Sequence, residues 1–541
     1  MLSVPTSALT PPPAAPVIGW VYGPGPDPHT FVLLAADPRQ QLKNGEYVTY
    51  QAKENGVPYT MFCRIIGRTA VRSYPPTFGA DPQVAPDVVA HVLGYEPTQA
   101  ERFALTATIL GYYDPDLDAF VNPRLPPQAA TPVSLAMGEE LTAVLARKAL
   151  HAPGSAHLGS LLSRAPGEVP LTVDVSALTS THLAVIANTG AGKSYLAATL
   201  VEEMMMPYNR AALLIIDPHS EYHTLQEMAG HDAFAAANYR PQVQVIRHLT
   251  LHPGQLDLAD LVYLLPDLSE RMEYLLRKAF FAARQRSYDL YRSPDRWQRS
   301  DLIAELEKLG GLKGRSDAAS KRDASTAEAL IWRLESVLGR AGIFAEQSAL
   351  KLSALFRPGL LSVLDVQEMS SKAQTILVAA LLRQVLDARQ RTVRGQVTTG
   401  SGYLPYPVFV LVEEAHRFAP AHETLVSSQV LKQVLAEGRK FGVGVGLISQ
   451  RPGKLDADVL SQCNTQFLLR IVNPLDQAKV AEAVETVGRE LLQELPALTR
   501  GQVIVAGAGV NTPVLLRGRK RYTIHGGQSL DAPQEWMRFN S

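Results

Sequence analysis

From about residue 158 onward, short runs of consecutive apolar residues alternate with longer stretches of helical periodicity. LAVIA (183–187), ALLIID (212–217), VQVIRH (243–248), LLSVLDV (360–366), VFVLVEE (408–414), VGLIS (445–449) and TQFLLRI (465–471) each contain runs of apolar residues. Strands buried on both faces read this way, and helical crossovers between them predict a parallel α/β sheet. Residues 16–130 follow another rhythm: VIGWVYG, HTFVLLA, GEYVTYQ, YTMFCRIIG and FALTATILGYY are separated by Gly, Pro, Asp and Asn turns. Short strands at that spacing predict a small barrel. Between about 255 and 345 the strand signal stops and helical segments such as LADLVYLLPDLSERMEYLLRKAFFAARQRSYDLY and TAEALIWRLESVLGR take over, which predicts a helical bundle inserted into the α/β core, with Gly310–Asp323 as a polar loop. The expected organisation is a flexible tail (1–15), a barrel (16–135), an α/β core (136–254 and 346–520), a helical insertion (255–345) and a loose C-terminal tail (521–541) that follows a basic run, RGRKR (517–521). No internal repeat is visible.

Composition narrows the partners. The 541 residues are 46% hydrophobic, and 52 basic residues balance 52 acidic ones. Overall charge therefore announces no nucleic acid, and any positive potential must be local, as in a channel. Residues 1–150 hold 10 Lys and Arg against 13 Asp and Glu, so the barrel is not the expected anion-binding surface. Cys63 and Cys463 lie too far apart in sequence to form a metal or disulfide pattern, and they fit a reducing cytosol. The N-terminus lacks the charged and apolar regions of a signal peptide. No apolar run approaches the ~18 residues of a membrane span. The expectation is a cytoplasmic protein without a membrane segment.

The chemistry concentrates at LAVIANTGAGKSYLAATL (183–200), where strand, glycine loop, Lys-Ser and helix follow in order, as a Walker A phosphate loop requires. Residues Asn188, Thr189, Gly190, Ala191, Gly192, Lys193, Ser194 and Tyr195 would cradle the nucleotide. Gly190 and Gly192 let backbone N–H groups turn inward, Lys193 would reach the β- and γ-phosphates, and the Ser194 hydroxyl would hold Mg²⁺. The pattern calls for Gly at 187, where this chain has Ala187. VFVLVEEAHRF (408–418) ends an apolar strand in two carboxylates: Glu413 is assigned to the metal and Glu414 to the attacking water. Such strands commonly end Asp-Glu, so Glu413 is one methylene longer than usual. Asp217, before PHSEY (218–222), is either a further site acid or a turn residue, and Glu221 follows it. Gln450 is either a γ-phosphate sensor or a polar strand terminus. Arg439, beside Lys440, is either an arginine aimed at a neighbouring subunit's phosphate or a solvated charge.

These pieces together resemble the HerA family, in the FtsK-like branch of RecA-fold motors. The stretches that carry the resemblance are VPLTVDVSALTSTHLAVIANTGAGKS (169–194), IIDPHSEY (215–222), VLVEEAHRFAP (410–420), EGRKFGVG (437–444) and ISQRPGKLDADVLSQCNTQFLLRIVNPLDQ (448–477). The resemblance implies a homohexamer around a central channel, with ATP sites at subunit interfaces and double-stranded DNA as the translocated partner. By motif match, Lys193 and Ser194 bind phosphate and Mg²⁺, Glu414 activates water and Arg439 acts in trans. Relatives often carry an Arg where Thr181 precedes His182. They usually work with a NurA-type nuclease on DNA ends in break repair. Two other readings remain: a motor acting on protein (an unfoldase or secretion type), and an ATP-gated scaffold that recruits a nuclease. Candidate pore residues are Arg284, Arg286, Lys313, Arg315 and Lys454.

Overall fold

Alternate side chains of the strand Leu183–Ile186 feed two different cores. Leu183 and Val185 enter one buried cluster and Ala184 and Ile186 the other, and all four are at most 1% exposed. The strand is thus the middle layer of a sandwich, which is why its sequence is apolar throughout. The structure is a computed structural model. It describes residues 16–37, 41–54, 57–71, 88, 91, 102–114, 116–117, 119–265, 267–291, 293–312, 321–340, 344–345, 351–400, 402–484, 487–526 and 532–538. The expected tail at 1–15 lies outside the described residues.

The N-terminal unit contains β1 (Val17–Pro24), β2 (Thr30–Ala36), β3 (Tyr47–Glu54), β4 (Val57–Val71), β5 (Arg102–Asp114), β6 (Ala119–Val121) and β7 (Pro132–Leu135). Their order is β2-β1-β7-β3-β4-β5-β6, and a β2–β5 pairing closes six of them into a barrel. Phe31, Leu33, Val48, Met61, Cys63, Ile65 and Leu105 fill its interior.

The core sheet takes β8 (Ser155–Leu161), β9 (Pro170–Asp174), β10 (Leu183–Ile186), β11 (Ala212–Asp217), β12 (Gln242–Ile246), β13 (Leu360–Asp365), β14 (Val408–Val412), β15 (Val443–Ser449), β16 (Thr465–Leu468), β17 (Gln502–Gly507) and β18 (Val514–Gly518). The order is β12-β13-β11-β14-β15-β10-β16-β17-β18-β8-β9. From β12 to β16 every pairing is parallel. From β16 to β9 every pairing is antiparallel. The sheet is therefore not parallel throughout, as the sequence suggested, but carries a four-strand antiparallel extension. Strand β14 also stops at Val412, so the two glutamates lie beyond it rather than in it.

On one face, helix α1 (Lys193–Met204) packs with β8 and β9. Between β12 and β13 the chain forms α2 (Leu258–Leu264), α3 (Glu270–Tyr291), α4 (Arg299–Leu309) and α5 (Lys321–Arg340). The side chains of Leu261, Leu276, Phe280, Trp297, Leu302 and Leu334 join the same cluster as the sheet's other face, beside α6 (Ser371–Val393) and α7 (Val426–Glu437), so the inserted helices share the sheet's core. Two arginines, one buried and one half-buried, tie barrel to core. Arg64, 3% exposed, donates to the Pro513 carbonyl at 2.7 Å and pairs with Glu490 at 3.0 Å. Arg164 donates to both Glu46 oxygens at 2.9 and 2.8 Å.

The C-terminal run is not loose where it is described. Glu202, on α1 and 0% exposed, accepts from Arg519 (3.1 Å), the backbone N–H of Tyr522 (3.1 Å) and Thr523 (3.0 Å), and the Thr523 hydroxyl (2.8 Å). Glu203 accepts from Arg519 at 2.8 Å, and Arg521 lies 3.5 Å from Glu202. Two buried carboxylates need these cations, and so residues 519–524 form a strap over α1. No described helix is long and apolar enough to cross a membrane.

Candidate active site

The phosphate loop hangs between two strand ends. The Ala187 N–H donates to the Ser449 carbonyl of β15 (3.2 Å), and the Asn188 N–H donates to Arg470, beyond β16 (3.0 Å). Gly190 and Gly192 adopt φ of 79° and 102°. A side chain at Gly190 would meet no atom within 4 Å, so conformation rather than space demands glycine there. Ala187 is fully buried and is not among the residues with positive φ, so alanine costs no backbone strain at that position. Helix α1 starts at Lys193, with its free N–H groups directed toward the loop.

Lys193 reaches across to the end of β14. Its ammonium donates to Glu413 Oε1 and lies 3.0 Å from Glu414 Oε1. Burial opposes its charge, but the two carboxylates outweigh burial and hold it above its ordinary range. Glu413 is 0% exposed; burial pushes its carboxyl up to about 7, against the pull of Lys193 and of the Tyr222 hydroxyl, which donates to Oε2 at 2.8 Å. Glu414 is 2% exposed and stands at φ 52°, ψ 45°. That left-handed conformation costs a non-glycine residue about 1–3 kcal/mol and turns the carboxylate back toward the loop. Its Oε2 lies 3.2 Å from His416 Nδ1.

Thr189 of the loop donates to Gln450 Oε1 at 2.7 Å, which joins the loop to the end of β15. Ser194, 9% exposed, follows Lys193 on α1. Asp217 is fully buried, and its two oxygens accept from the backbone N–H of His219 (3.1 Å) and Tyr222 (3.0 Å). It shapes the turn that delivers the Tyr222 hydroxyl to Glu413. Arg439 is exposed in the turn before β15, at the opposite end of that strand from Gln450. The seven residues of β15 separate the two by roughly 20 Å, so Arg439 is remote from its own phosphate loop.

Tyr222, His416 and a cavity were not anticipated from sequence. The cavity, about 270 Å³, opens beside Gly192 between α1 and the β17–β18 hairpin, and Tyr195, Leu469, Arg500, Arg519 and Lys520 line it. Tyr195 is anchored there by accepting the Arg521 N–H at 2.8 Å. Of the pore candidates, Arg284 is paired with Asp295 (2.8 Å) and Asp257 (3.7 Å), whereas Arg286 and Lys454 are exposed. Lys313 and Arg315 lie outside the described residues. Among the described residues no cluster of three or more His, Cys, Asp or Glu could hold a metal by itself. A hydroxyl and one carboxylate are hard-oxygen donors of the kind Mg²⁺ takes alongside substrate phosphates and water, so Ser194 and Glu413 fit it.

Residues 156–385 match the family model described as the central domain of helicase HerA. The chain is similar to the DNA double-strand break repair helicase HerA of Pyrococcus furiosus, at 29% identity over 422 residues, 71% of this chain and 74% of that one. It is similar to the Sulfurisphaera tokodaii protein of the same name at 26% over 424 residues, 77% and 78% of the two chains. In fold it is similar to VirB4 of Thermoanaerobacter pseudethanolicus, with a TM-score of 0.50 at 14% identity, over 69% of this chain and 99% of that one. With a phosphate loop facing two glutamates and similarity to HerA helicases along most of their length, the chain is a P-loop ATP hydrolase whose central domain resembles that of helicase HerA.

Proposed function

We propose that this protein is a ring-forming, ATP-driven translocase of double-stranded DNA. It would act in break repair with a NurA-type nuclease, since the motifs read here include no nuclease site. The observation that carries the reading is the phosphate-loop Lys193 standing against Glu413 and Glu414 at the end of β14, which gathers a phosphate-binding cation and two carboxylates at one point.

In this reading the loop N–H groups and Lys193 bind the phosphates, and the cavity between α1 and the strap receives the nucleoside. Ser194 and Glu413 would hold Mg²⁺, which supplies charge neutralisation on the β- and γ-phosphates. Lys193 leaves Glu413 for the phosphates, which frees a Glu413 oxygen while Tyr222 keeps the carboxylate oriented. Glu414 orients the attacking water and accepts its proton. Gln450 senses the γ-phosphate through Thr189. Because Arg439 is remote from its own loop and exposed, a neighbouring subunit's site is the one it can serve, which supports a homohexamer with shared sites.

The test is ATP hydrolysis with and without linear duplex DNA, across salt. DNA should stimulate turnover, and apparent affinity should fall by orders of magnitude between 50 and 200 mM salt if several phosphates are contacted. Hydrolysis indifferent to DNA but stimulated by an unfolded protein would overturn the reading in favour of a protein-directed motor.

A further inference from the structure

One nitrogen of His416 stands between two oxygens. Its Nδ1 is 3.2 Å from Glu414 Oε2 and 3.2 Å from the Ser449 hydroxyl. Burial holds the imidazole below its ordinary range, reinforced by Arg451, Arg417 and Lys454 and opposed by Glu414, so the neutral ring carries a single N–H. A carboxylate oxygen only accepts, so the tautomer that serves Glu414 is Nδ1–H. In the structure the hydrogen bond of Nδ1 goes to Ser449, while Glu414 Oε2 is buried with no hydrogen-bond partner. Ser449 ends β15, and its hydroxyl also accepts the Arg451 N–H at 3.1 Å. The next residue, Gln450, is held by the phosphate loop.

We infer that His416 is a positioning residue for Glu414: its Nδ1–H passes from Ser449 to Glu414 Oε2 as Lys193 turns to phosphate, and so links the water-activating carboxylate to the end of β15. Glu414 Oε1 has Lys193 as its cation at 3.0 Å. When that cation leaves, a buried carboxylate needs another donor; His416 Nδ1–H is already at 3.2 Å from Oε2, whereas His219 Nε2 stands at 3.9 Å from Oε1. Transfer of the N–H releases the Ser449 hydroxyl from His416, and the loop from Arg451 to Lys454, with its two exposed cations, follows directly from that serine. The carboxylate's state is thereby passed to a basic loop through one hydrogen bond.

This inference rests on Glu414 activating water, and Glu414→Gln tests that premise separately. If Glu414→Gln hydrolyses ATP normally, the premise fails; if it is inactive while His416→Ala is normal, only the inference about His416 fails. The test compares Ala, Asn and Gln at 416 in the full-length protein by steady-state ATPase, binding of a fluorescent ATP analogue and melting temperature. An asparagine amide nitrogen overlays Nδ1, whereas a glutamine amide nitrogen overlays Nε2. His416→Ala should lower kcat by ~10–100-fold, the scale of a misplaced catalytic group, with analogue affinity within about threefold of the parent. Asn should recover most of kcat, and Gln should not. Ser449→Ala leaves Nδ1–H to Glu414 alone and should raise DNA-independent turnover. Parental kcat in His416→Ala, Gln equal to or better than Asn, or slower DNA-independent turnover in Ser449→Ala would each overturn the inference. If the Ala variant does not fold, the Asn–Gln comparison decides alone.

Discussion

Removing the carboxylate of Glu202 should detach the C-terminal strap and open the cavity beside Gly192. Glu202 is fully buried and receives Arg519, the Thr523 hydroxyl and two backbone N–H groups at 2.8 to 3.1 Å, with Arg521 at 3.5 Å. Glu202→Ala leaves Arg519 half-compensated by Glu203, and it leaves Arg521 and both backbone donors without their shared acceptor. Removing one partner of a buried ion pair costs about 3–5 kcal/mol. At about 1.4 kcal/mol per tenfold, local opening should become more frequent by roughly 10² to several 10³. Hydrogen exchange followed by mass spectrometry reads this directly: peptides covering 519–526 should lose protection by that factor, while barrel peptides over 102–114 stay unchanged. Because Arg519 and Lys520 wall the cavity beside Gly192, ATP binding should weaken with it. Protection at 519–526 within threefold of the parent would refute the reasoning, since it would mean that the clamp does not hold the strap.

Lys193→Ala should abolish hydrolysis, and Glu414→Gln should bind ATP but lose turnover; normal hydrolysis by Glu414→Gln with a dead Glu413→Gln would show that the two carboxylate roles are reversed. Arg439→Ala should assemble and bind ATP yet hydrolyse poorly, by up to ~10³–10⁵-fold for a trans-acting arginine. Mixed with Lys193→Ala subunits, it should regain activity above that of either mutant alone, and strictly averaged activity in confirmed mixed rings would exclude the trans role. His182 is 2% exposed, accepts the Val445 N–H at Nδ1 (3.1 Å) and donates from Nε2 to Leu435 (3.0 Å), and burial lowers it to about 4. The unfolded chain takes up that proton near 6.5 and the folded chain only near 4. Stability should therefore fall as pH drops through that window, and denaturant titrations should show a flatter pH profile for His182→Gln.

The phosphate loop could be read from sequence because everything that builds it is local: a four-residue apolar strand, two glycines and the start of a helix. The pairing of Lys193 with Glu413 was implicit in two motifs that the parallel sheet brings together. What was not legible depends on tertiary neighbours. Strands β8 (SAHLGSL) and β9 (PLTVD) mix polar and apolar residues and so carry weaker patterning than the doubly covered strands, while β17 and β18 are short apolar runs whose antiparallel pairing depends on tertiary neighbours. Asp217 could be placed at a strand end but not given a task, since the choice between site acid and turn residue depends on which N–H groups face it. The run RGRKR could be seen only as a basic run before a loose tail, because its partners, Glu202 and Glu203, lie some 300 residues earlier on a helix otherwise rich in Ala and Leu. The positive φ of Glu414 has no sequence signal, since nothing in a Glu-Glu-Ala run marks a left-handed residue.

The two arginines that pin the barrel have a mechanical consequence. Arg64 is buried and bonded to the stretch that enters β18, and Arg164 bridges Glu46 to the core at both carboxylate oxygens. Because these anchors are desolvated charges rather than a bare linker, the barrel is a handle welded to the engine and not a bucket on a rope. A displacement of the antiparallel strands would therefore carry the barrel with it as one body.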